Sequence, residues 1–190
     1  MDKLLTIGTA VYDDYDGVFF TLQSLRMHHE ICKTDDVEFV VIDNNPDSPS
    51  GQATQAFCKW IKNCNYVPYT LKKSTTVRNE IFRQARGKYA ISMDCHVLLF
   101  NGALESLLNY YAKNPDCKDI VSGPLVYDGL DEKNASTHFK PGWGSGMYGQ
   151  WATDHDNLHK GEPFEIPMQG LGLFSCETKN WVGFNKTFRG

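Results

Sequence analysis

Residues 77–96, VRNEIFRQARGKYAISMDCH, decide the fold class because a helix pattern runs directly into a strand pattern. Val77, Ile81 and Ala85 recur every four residues, which places them on one face of a helix. Tyr89–Met93 is a short apolar run with polar residues after it, which is typical of a buried strand. A helix followed at once by a buried strand is the repeating unit of a parallel α/β sheet.

The same alternation continues on both sides of this stretch. Strands are predicted at Leu4–Thr9, Glu38–Ile42, Asn65–Tyr69, Tyr89–Met93 and Ile120–Ser122. Helices are predicted around Val18–Leu25 (capped by Asp16), Ala53–Ile61, Val77–Ala85 (capped by Thr75 or Thr76) and Leu104–Tyr111. This order favours an α/β fold with a mostly parallel, Rossmann-like sheet and helices on both faces.

Composition narrows the function classes. The 190 residues are 41% hydrophobic and 22% charged, with a net charge of −4, which suits one globular domain and disfavours a general nucleic-acid binder. No apolar run approaches the roughly 18 residues of a membrane span, and the first residues lack the apolar core of a signal peptide. The six cysteines include no Cys-x-x-Cys pair, so we expect reduced thiols and a cytoplasmic protein.

The sequence changes character after Gly123. Residues 124–165 are rich in Gly, Pro, Asp, Asn and His with little periodicity, which predicts a long irregular segment with a functional role. Regular structure is expected again at Phe164–Pro167 and Leu171–Ser175, followed by a short helix over Thr178–Val182.

Polar residues follow three of the predicted strands, at 9–13, 43–45 and 94–96. Ligands of open parallel sheets bind outside the carboxyl ends of the strands, so we expect a site there. Asp94 and His96, two positions apart, offer a carboxylate and an imidazole to one ion, a combination that suits Mn²⁺ or a similar divalent metal. The alternative is that Asp94 caps the turn and His96 is a bystander.

Two further residues are candidates for nucleotide contacts. Asp43 can accept a hydrogen bond from a nucleobase or a ribose hydroxyl, although the residue on its own favours an Asx turn. Arg78 lies in the first turn of its helix, where a phosphate is favoured. Neither the Gly-x-Gly-x-x-Gly dinucleotide motif nor a P-loop occurs in the sequence, which disfavours NAD-dependent enzymes and P-loop ATPases.

The irregular segment contributes weaker candidates. Trp143 and Trp151 either stack on a sugar or pin the segment to the core. His138, His155 and His159 are possible additional metal ligands. The absence of a Gly-x-Ser-x-Gly motif gives covalent hydrolase chemistry little support.

Several stretches taken together resemble the glycosyltransferases with the GT-A fold, in particular family 2. These stretches are Val77–Glu80, Ala85–Tyr89, Ser92–His96, Pro167–Phe174 and Trp181–Asn185. The Asp-x-His form of the metal motif is similar to that of polypeptide N-acetylgalactosaminyltransferases. The resemblance runs from about residue 4 to residue 190, which is nearly the whole chain.

The resemblance implies a metal-dependent enzyme that moves a sugar from a nucleotide-sugar, in particular a UDP-sugar, to an unknown acceptor. The implied nucleotide contacts are Thr9, Ala10, Val11, Tyr12, Asp43, Arg78 and Asp94, and the implied sugar contacts are Gln169, Gly170 and Gly172. Asp94 and His96 are the implied ligands of Mn²⁺ or Mg²⁺.

The resemblance also divides the single domain, residues 1–190, into two halves. Residues 1–123 form a nucleotide-binding half, and 124–190 form a half that faces the sugar and the acceptor. In the family an acidic catalytic residue follows the stretch that matches Gly183–Gly190, so the base is expected beyond Gly190 and the sequence is interpreted as truncated. Two other functions stay open: a donor-binding module without transfer activity, and a less favoured nucleotidyltransferase.

Overall fold

The computed structural model describes residues 2–71, 74–127, 135–144 and 146–185. In these residues one sheet contains the five strands β1 (Lys3–Val11), β2 (Val37–Asp43), β3 (Cys64–Pro68), β4 (Gly87–Asp94) and β7 (Leu173–Glu177). Their order across the sheet is β3-β2-β1-β4-β7. Strands β1 to β4 are parallel to one another, and β7 runs antiparallel to β4. A separate antiparallel pair consists of β5 (His138–Gly144) and β6 (Met147–Ala152).

Helices cover both faces of the sheet, which confirms the predicted α/β architecture. They are α1 (Tyr15–His28), α2 (Pro49–Cys58), α3 (Arg78–Gln84), α4 (Ala103–Lys113) and α5 (His155–Lys160). Leu22, Cys58 and Leu104 bury α1, α2 and α4 against one face, and Ile81 and Phe82 bury α3 against the other. None of the helices in the described part of the chain is both long and apolar enough to cross a membrane.

The alternation of side chains along β4 places Asp94 on the opposite face of the sheet from its neighbours Met93 and Cys95. Met93 and Cys95 belong to the core on the α1 side, whereas Ala90 belongs to the core on the α3 side. Because side chains alternate along a strand, Asp94 lies on the α3 side. The end of β4 therefore presents one polar side chain towards α3 at the point where the chain leaves the sheet.

The starts of two helices differ from the prediction. Asp14, and not Asp16, caps α1, because its Oδ1 accepts a hydrogen bond from Gly17 N at 2.9 Å. The predicted Thr75 or Thr76 cap of α3 is also wrong. A 3-10 turn over Thr75–Val77 leads into α3, and no side chain caps the helix.

The second half contains more regular structure than its sequence predicts. Residues 124–165 were expected to be irregular, yet they include β5, β6 and α5. A register shift between Lys140 and Trp143 interrupts the alternation of β5 and hides the strand pattern. Two other expectations are wrong: the stretch Ile120–Ser122 contributes only an isolated bridge between Val121 and Ser175, and Phe164–Pro167 forms neither strand nor helix.

A glycine in β1 sets the distance between α3 and the sheet. A Cβ at Gly8 would lie 2.0 Å from Ile81 Cγ2, so only a residue without a side chain allows α3 to pack here. This close approach places Arg78, the first residue of α3, over the carboxyl end of the sheet.

We predict that Gly8→Ala lowers the free energy of unfolding by about 1–3 kcal/mol, because the added methyl group overpacks this contact. Urea denaturation measures the change. Gly123→Ala is the matched control, since the nearest atom to its Cβ is Leu173 Cδ2 at 3.6 Å, and it should change stability little. Adding Ile81→Ala to Gly8→Ala should cost less than the sum of the two single changes; full additivity would contradict the packing argument.

Candidate functional site

A cavity of about 290 Å³ opens at the carboxyl ends of β1 and β2, next to α3. It is lined by Ala10, Val11, Tyr12, Asn44, Ser74, Thr75, Val77 and Arg78. Its volume is close to the lower end of the roughly 300–1,000 Å³ of small-molecule pockets. Four of the residues predicted from the sequence to contact a nucleotide therefore lie together around one cavity: Ala10, Val11, Tyr12 and Arg78.

Asp43 lies behind this cavity and does not line it. Its side chain is 1% exposed, and its two oxygens accept hydrogen bonds from Tyr66 Oη and Asn45 N, both at 2.8 Å. The Asx turn that the sequence left open is thus formed. Asn44, which the sequence did not single out, follows Asp43 into the cavity wall and donates to Tyr69 O at 2.7 Å. Thr9 is likewise buried.

Arg78 and Asp94 form an ion pair at the end of β4. An Nη2 of Arg78 donates to Oδ1 of Asp94, and the side chains are 14% and 28% exposed. Two buried atoms beside the cavity, Arg78 Nε and Thr75 Oγ1, make no hydrogen bond to any residue of the described ranges. Buried polar groups are nearly always paired in folded proteins, and the hydroxyls of Thr9 and Ser92 in the sheet are exceptions of the same kind among the described residues.

The side chains of Asp94 and His96 lie close together at the end of β4. Asp94 Oδ2 lies 4.0 Å from His96 Nε2, so the strand end brings the two predicted metal ligands to the same side. Gly172 adjoins this pair: its carbonyl accepts from Asp94 N at 2.8 Å, and a Cβ on it would touch Asp94 Oδ2 at 3.5 Å. Of the other predicted sugar contacts, Gly170 lies under the β5–β6 hairpin and Gln169 is partly buried.

Asp14 is a site residue that the sequence reasoning missed. Its Oδ2 accepts from Cys95 Sγ at 3.2 Å and lies 3.4 Å from His96 Nδ1. One potential metal-ligating atom from each of Asp14, Cys95 and His96 lies within 4.8 Å of the others. The sequence signal for Asp14 is the Asp13-Asp14 pair, which stands directly after the first strand and before the predicted helix.

The protonation states of this cluster follow from burial and hydrogen bonding. Burial, followed by the hydrogen bond to Asp14, raises the pKa of Cys95 to about 12, so the residue is a thiol that donates its proton. Burial also raises the pKa of Asp14, but donors from Gly17, Cys95 and His96 outweigh it and leave the pKa below its ordinary value. In the metal-free chain the cluster therefore offers the carboxylate of Asp14, while Cys95 is a thiol and not a thiolate.

The aromatic and histidine candidates of the second half separate into two groups. Trp151 packs on Phe139, its partner across the β5–β6 hairpin, with ring centroids 4.1 Å apart, and it lies against Gly170. Trp143 is 74% exposed. Within the described ranges, the cluster of ligating atoms at the site includes none of His138, His155 and His159. Residues 186–190, the end of the stretch Gly183–Gly190 after which the resemblance implies an acidic catalytic residue, lie outside the described residues.

Comparison with known families decides the class of this chain. Residues 6–178 match the profile described as Glycosyl transferase family 2. The chain belongs to this family. The matched range includes the ends of β1, β2 and β4 and therefore the whole candidate site. Comparison with curated proteins finds no match.

Solved structures show that the fold is that of GT-A glycosyltransferases, as predicted. The mannosyltransferase PcManGT from Pyrobaculum calidifontis, in complex with GDP-Man and Mn²⁺, is 15% identical with a TM-score of 0.67, over 98% of this chain and 49% of that one. S. aureus TarS 1–349, in complex with UDP-GlcNAc, is 15% identical with a TM-score of 0.51, over 66% and 36%. This chain thus spans between a third and a half of their lengths.

We predict that Tyr66→Phe lowers the free energy of unfolding by about 2 kcal/mol, because the buried Asp43 carboxylate loses a donor. Burial and the Asp43 hydrogen bond raise the pKa of Tyr66 above its ordinary value of 10. The advantage of wild type is therefore complete below about pH 10 and shrinks as the pH rises above it, because the unfolded chain ionises first.

Urea denaturation at several pH values measures this difference, with Tyr148→Phe at an exposed tyrosine as the control. A difference between wild type and Tyr66→Phe that persists unchanged in strong alkali would contradict the assignment.

Proposed function

We propose that this family 2 domain transfers a sugar from a UDP-sugar to an acceptor, with a divalent cation bound at Asp94 and His96. The observation that carries the proposal is that the cavity between β1, β2 and α3 adjoins the Asp94–His96 pair through Arg78. One edge of the sheet thus offers a space for a nucleoside, the positively charged side chain of Arg78 for phosphate, and two side chains that can ligate a metal ion.

The residues at this edge fit a divalent cation. Asp94 Oδ2 and His96 Nε2 lie 4.0 Å apart, so small movements of the two side chains would bring both atoms to one ion. Gly172 leaves the space beside the Asp94 carboxylate open. A carboxylate with an imidazole favours Mn²⁺ over Mg²⁺, and Mn²⁺ is the ion named with PcManGT. When bound, such an ion acts as a Lewis acid that stabilises the charge of the leaving diphosphate.

Arg78 is placed to bind the diphosphate. Its Nη2 holds Asp94, while its Nε is a buried donor without a partner in the described residues. Because Arg78 lines the cavity, its guanidinium can donate to an anionic oxygen bound there, and charge-assisted hydrogen bonds of this kind are stronger than neutral ones. Arg78 therefore orients the Asp94 carboxylate and the phosphate groups relative to one another.

The nucleoside would occupy the cavity, between residues 10–12 at the end of β1 on one side and Asn44 on the other. Asp43 would fix the turn that carries Asn44. The resemblance of the Asp-x-His motif to that of polypeptide N-acetylgalactosaminyltransferases supports a UDP-sugar, the class of donor named with TarS. Gln169, Gly170 and Gly172 would face the transferred sugar. We assign no catalytic base among the described residues.

We predict that Asp94→Asn and His96→Ala each abolish Mn²⁺-dependent binding of UDP. Each substitution removes one of the two proposed ligand atoms, and isothermal titration with UDP in the presence and absence of Mn²⁺ measures the loss. His28→Ala is the control, because it removes an exposed histidine at the far end of α1.

Unchanged UDP affinity in both variants would rule out this metal site. A screen for glycosylated products by mass spectrometry separates the enzyme from a donor-binding module, since a module binds UDP-sugars and yields no transfer product.

We further predict opposite effects of Arg78→Gln on the two ligands. UDP should bind about tenfold more weakly, because a charged donor to the diphosphate is lost. Mn²⁺ alone should bind more tightly, because Arg78 no longer competes for the Asp94 carboxylate. Arg83→Gln, which removes the same charge from an exposed position of α3, should change neither affinity. Titration of each ligand separately tests this; loss of both affinities together would show that Arg78 only maintains the structure.

A further inference from the structure

Asp14 uses its two carboxylate oxygens for different purposes. Oδ1 caps α1 through Gly17 N at 2.9 Å. Oδ2 contacts the turn after β4, at 3.2 Å from Cys95 Sγ and 3.4 Å from His96 Nδ1. The cap requires only one oxygen, so the second oxygen is available to act on the turn that follows β4.

His96 lies between two carboxylates. Its Nδ1 faces Asp14, and its Nε2 faces Asp94 Oδ2 at 4.0 Å, beyond hydrogen-bond distance. A neutral imidazole carries one N–H, and an ionised carboxylate can only accept. The hydrogen is therefore most stable on Nδ1, where an acceptor lies within reach, and the lone pair is then on Nε2, towards Asp94.

We propose that Asp14 is a positioning residue that holds His96 as the Nδ1–H tautomer and turns the Nε2 lone pair towards the cation. This inference rests on the proposed function for the identity of the ligand, but the tautomer is a property of the metal-free chain. Carboxylates in this position orient metal-binding histidines in many proteins, and their removal typically weakens metal affinity 10–100-fold.

A second contact keeps the two partners at a fixed distance. Thr21 Oγ1, in the second turn of α1, donates to Cys95 O at 2.8 Å. This hydrogen bond is buried and ties α1 to the turn that carries His96. Because Asp14 is fixed at the start of the same helix, the Asp14–His96 approach does not depend on a flexible loop.

Asp14→Asn is the most direct test, because the amide can keep the cap through Oδ1 while it replaces the acceptor Oδ2 by a donor. In this variant His96 should change from the Nδ1–H to the Nε2–H tautomer, and the affinity for Mn²⁺ alone should fall at least tenfold. Nitrogen NMR of the imidazoles in the metal-free protein reports the tautomer at about pH 8, above the ordinary histidine pKa of roughly 6.5. A His96→Gln spectrum assigns the signal, and calorimetric titration gives the Mn²⁺ affinity.

Two further variants separate positioning from stability and from charge. Asp14→Ser keeps a capping oxygen but has no second one, so it should fold and lose the preference for Nδ1–H. Asp16→Asn removes one negative charge from the same helical turn without touching His96, and it should leave the tautomer unchanged and the Mn²⁺ affinity within about twofold.

The inference is overturned if His96 is Nε2–H in wild type, or if Asp14→Asn retains Nδ1–H. It is also overturned if Asp14→Asn and Asp16→Asn weaken Mn²⁺ binding equally, because the effect is then one of net charge. If wild type binds no Mn²⁺, the metal site of the proposed function fails, while the tautomer measurement still decides the role of Asp14.

Discussion

The hydrogen-bonded register of β1 with its two neighbours is the constraint on which the candidate site depends. Val11 pairs with Asp43 on β2, and Ala10 pairs with Asp94 on β4. Three strands distant in sequence therefore end at one level, and their polar ends share one edge. A shift of one residue in either pairing would turn a buried face of β1 towards the wrong layer, so the packing of the core enforces the alignment of the site.

The carboxylate of Asp94 connects the two halves of this edge. One oxygen pairs with Arg78 from the nucleotide side, and the other faces His96 from the metal side. In the proposed function the cation binds the Asp94 carboxylate directly, and the phosphate acts on it through Arg78. Binding of either ligand therefore changes the charge that the other encounters. The coupling follows from the alternation of β4, which directs this residue to the α3 side and its neighbour Cys95 to the other.

The sequence was sufficient for the strands that carry the site and insufficient for what depends on tertiary contacts. Strands β1, β2 and β4 were predictable because each is a buried apolar run with polar residues directly after it. The sequence could not decide whether Asp14 or Asp16 caps the helix, because both stand near its start and only the hydrogen bond to Gly17 distinguishes them. The link from Asp14 to His96 spans 82 positions, which no local pattern reveals. The β5–β6 hairpin could not be predicted from the sequence, because its register shift removes the alternation of side chains by which strands are recognised.

The bridge between Val121 and Ser175 has a consequence for how this domain can change over evolution. Reciprocal hydrogen bonds of 2.8 and 2.7 Å join the two residues, so the chain leaves the sheet and returns to it at one place. The segment between these two residues contains the β5–β6 hairpin, and the bridge closes the ends of this segment whatever the length of the segment. Since the entropy of closing a loop grows only slowly with its length, insertions and replacements there are tolerated at small cost. One scaffold can thus acquire new surface for different molecules while the strand ends beneath it are left intact.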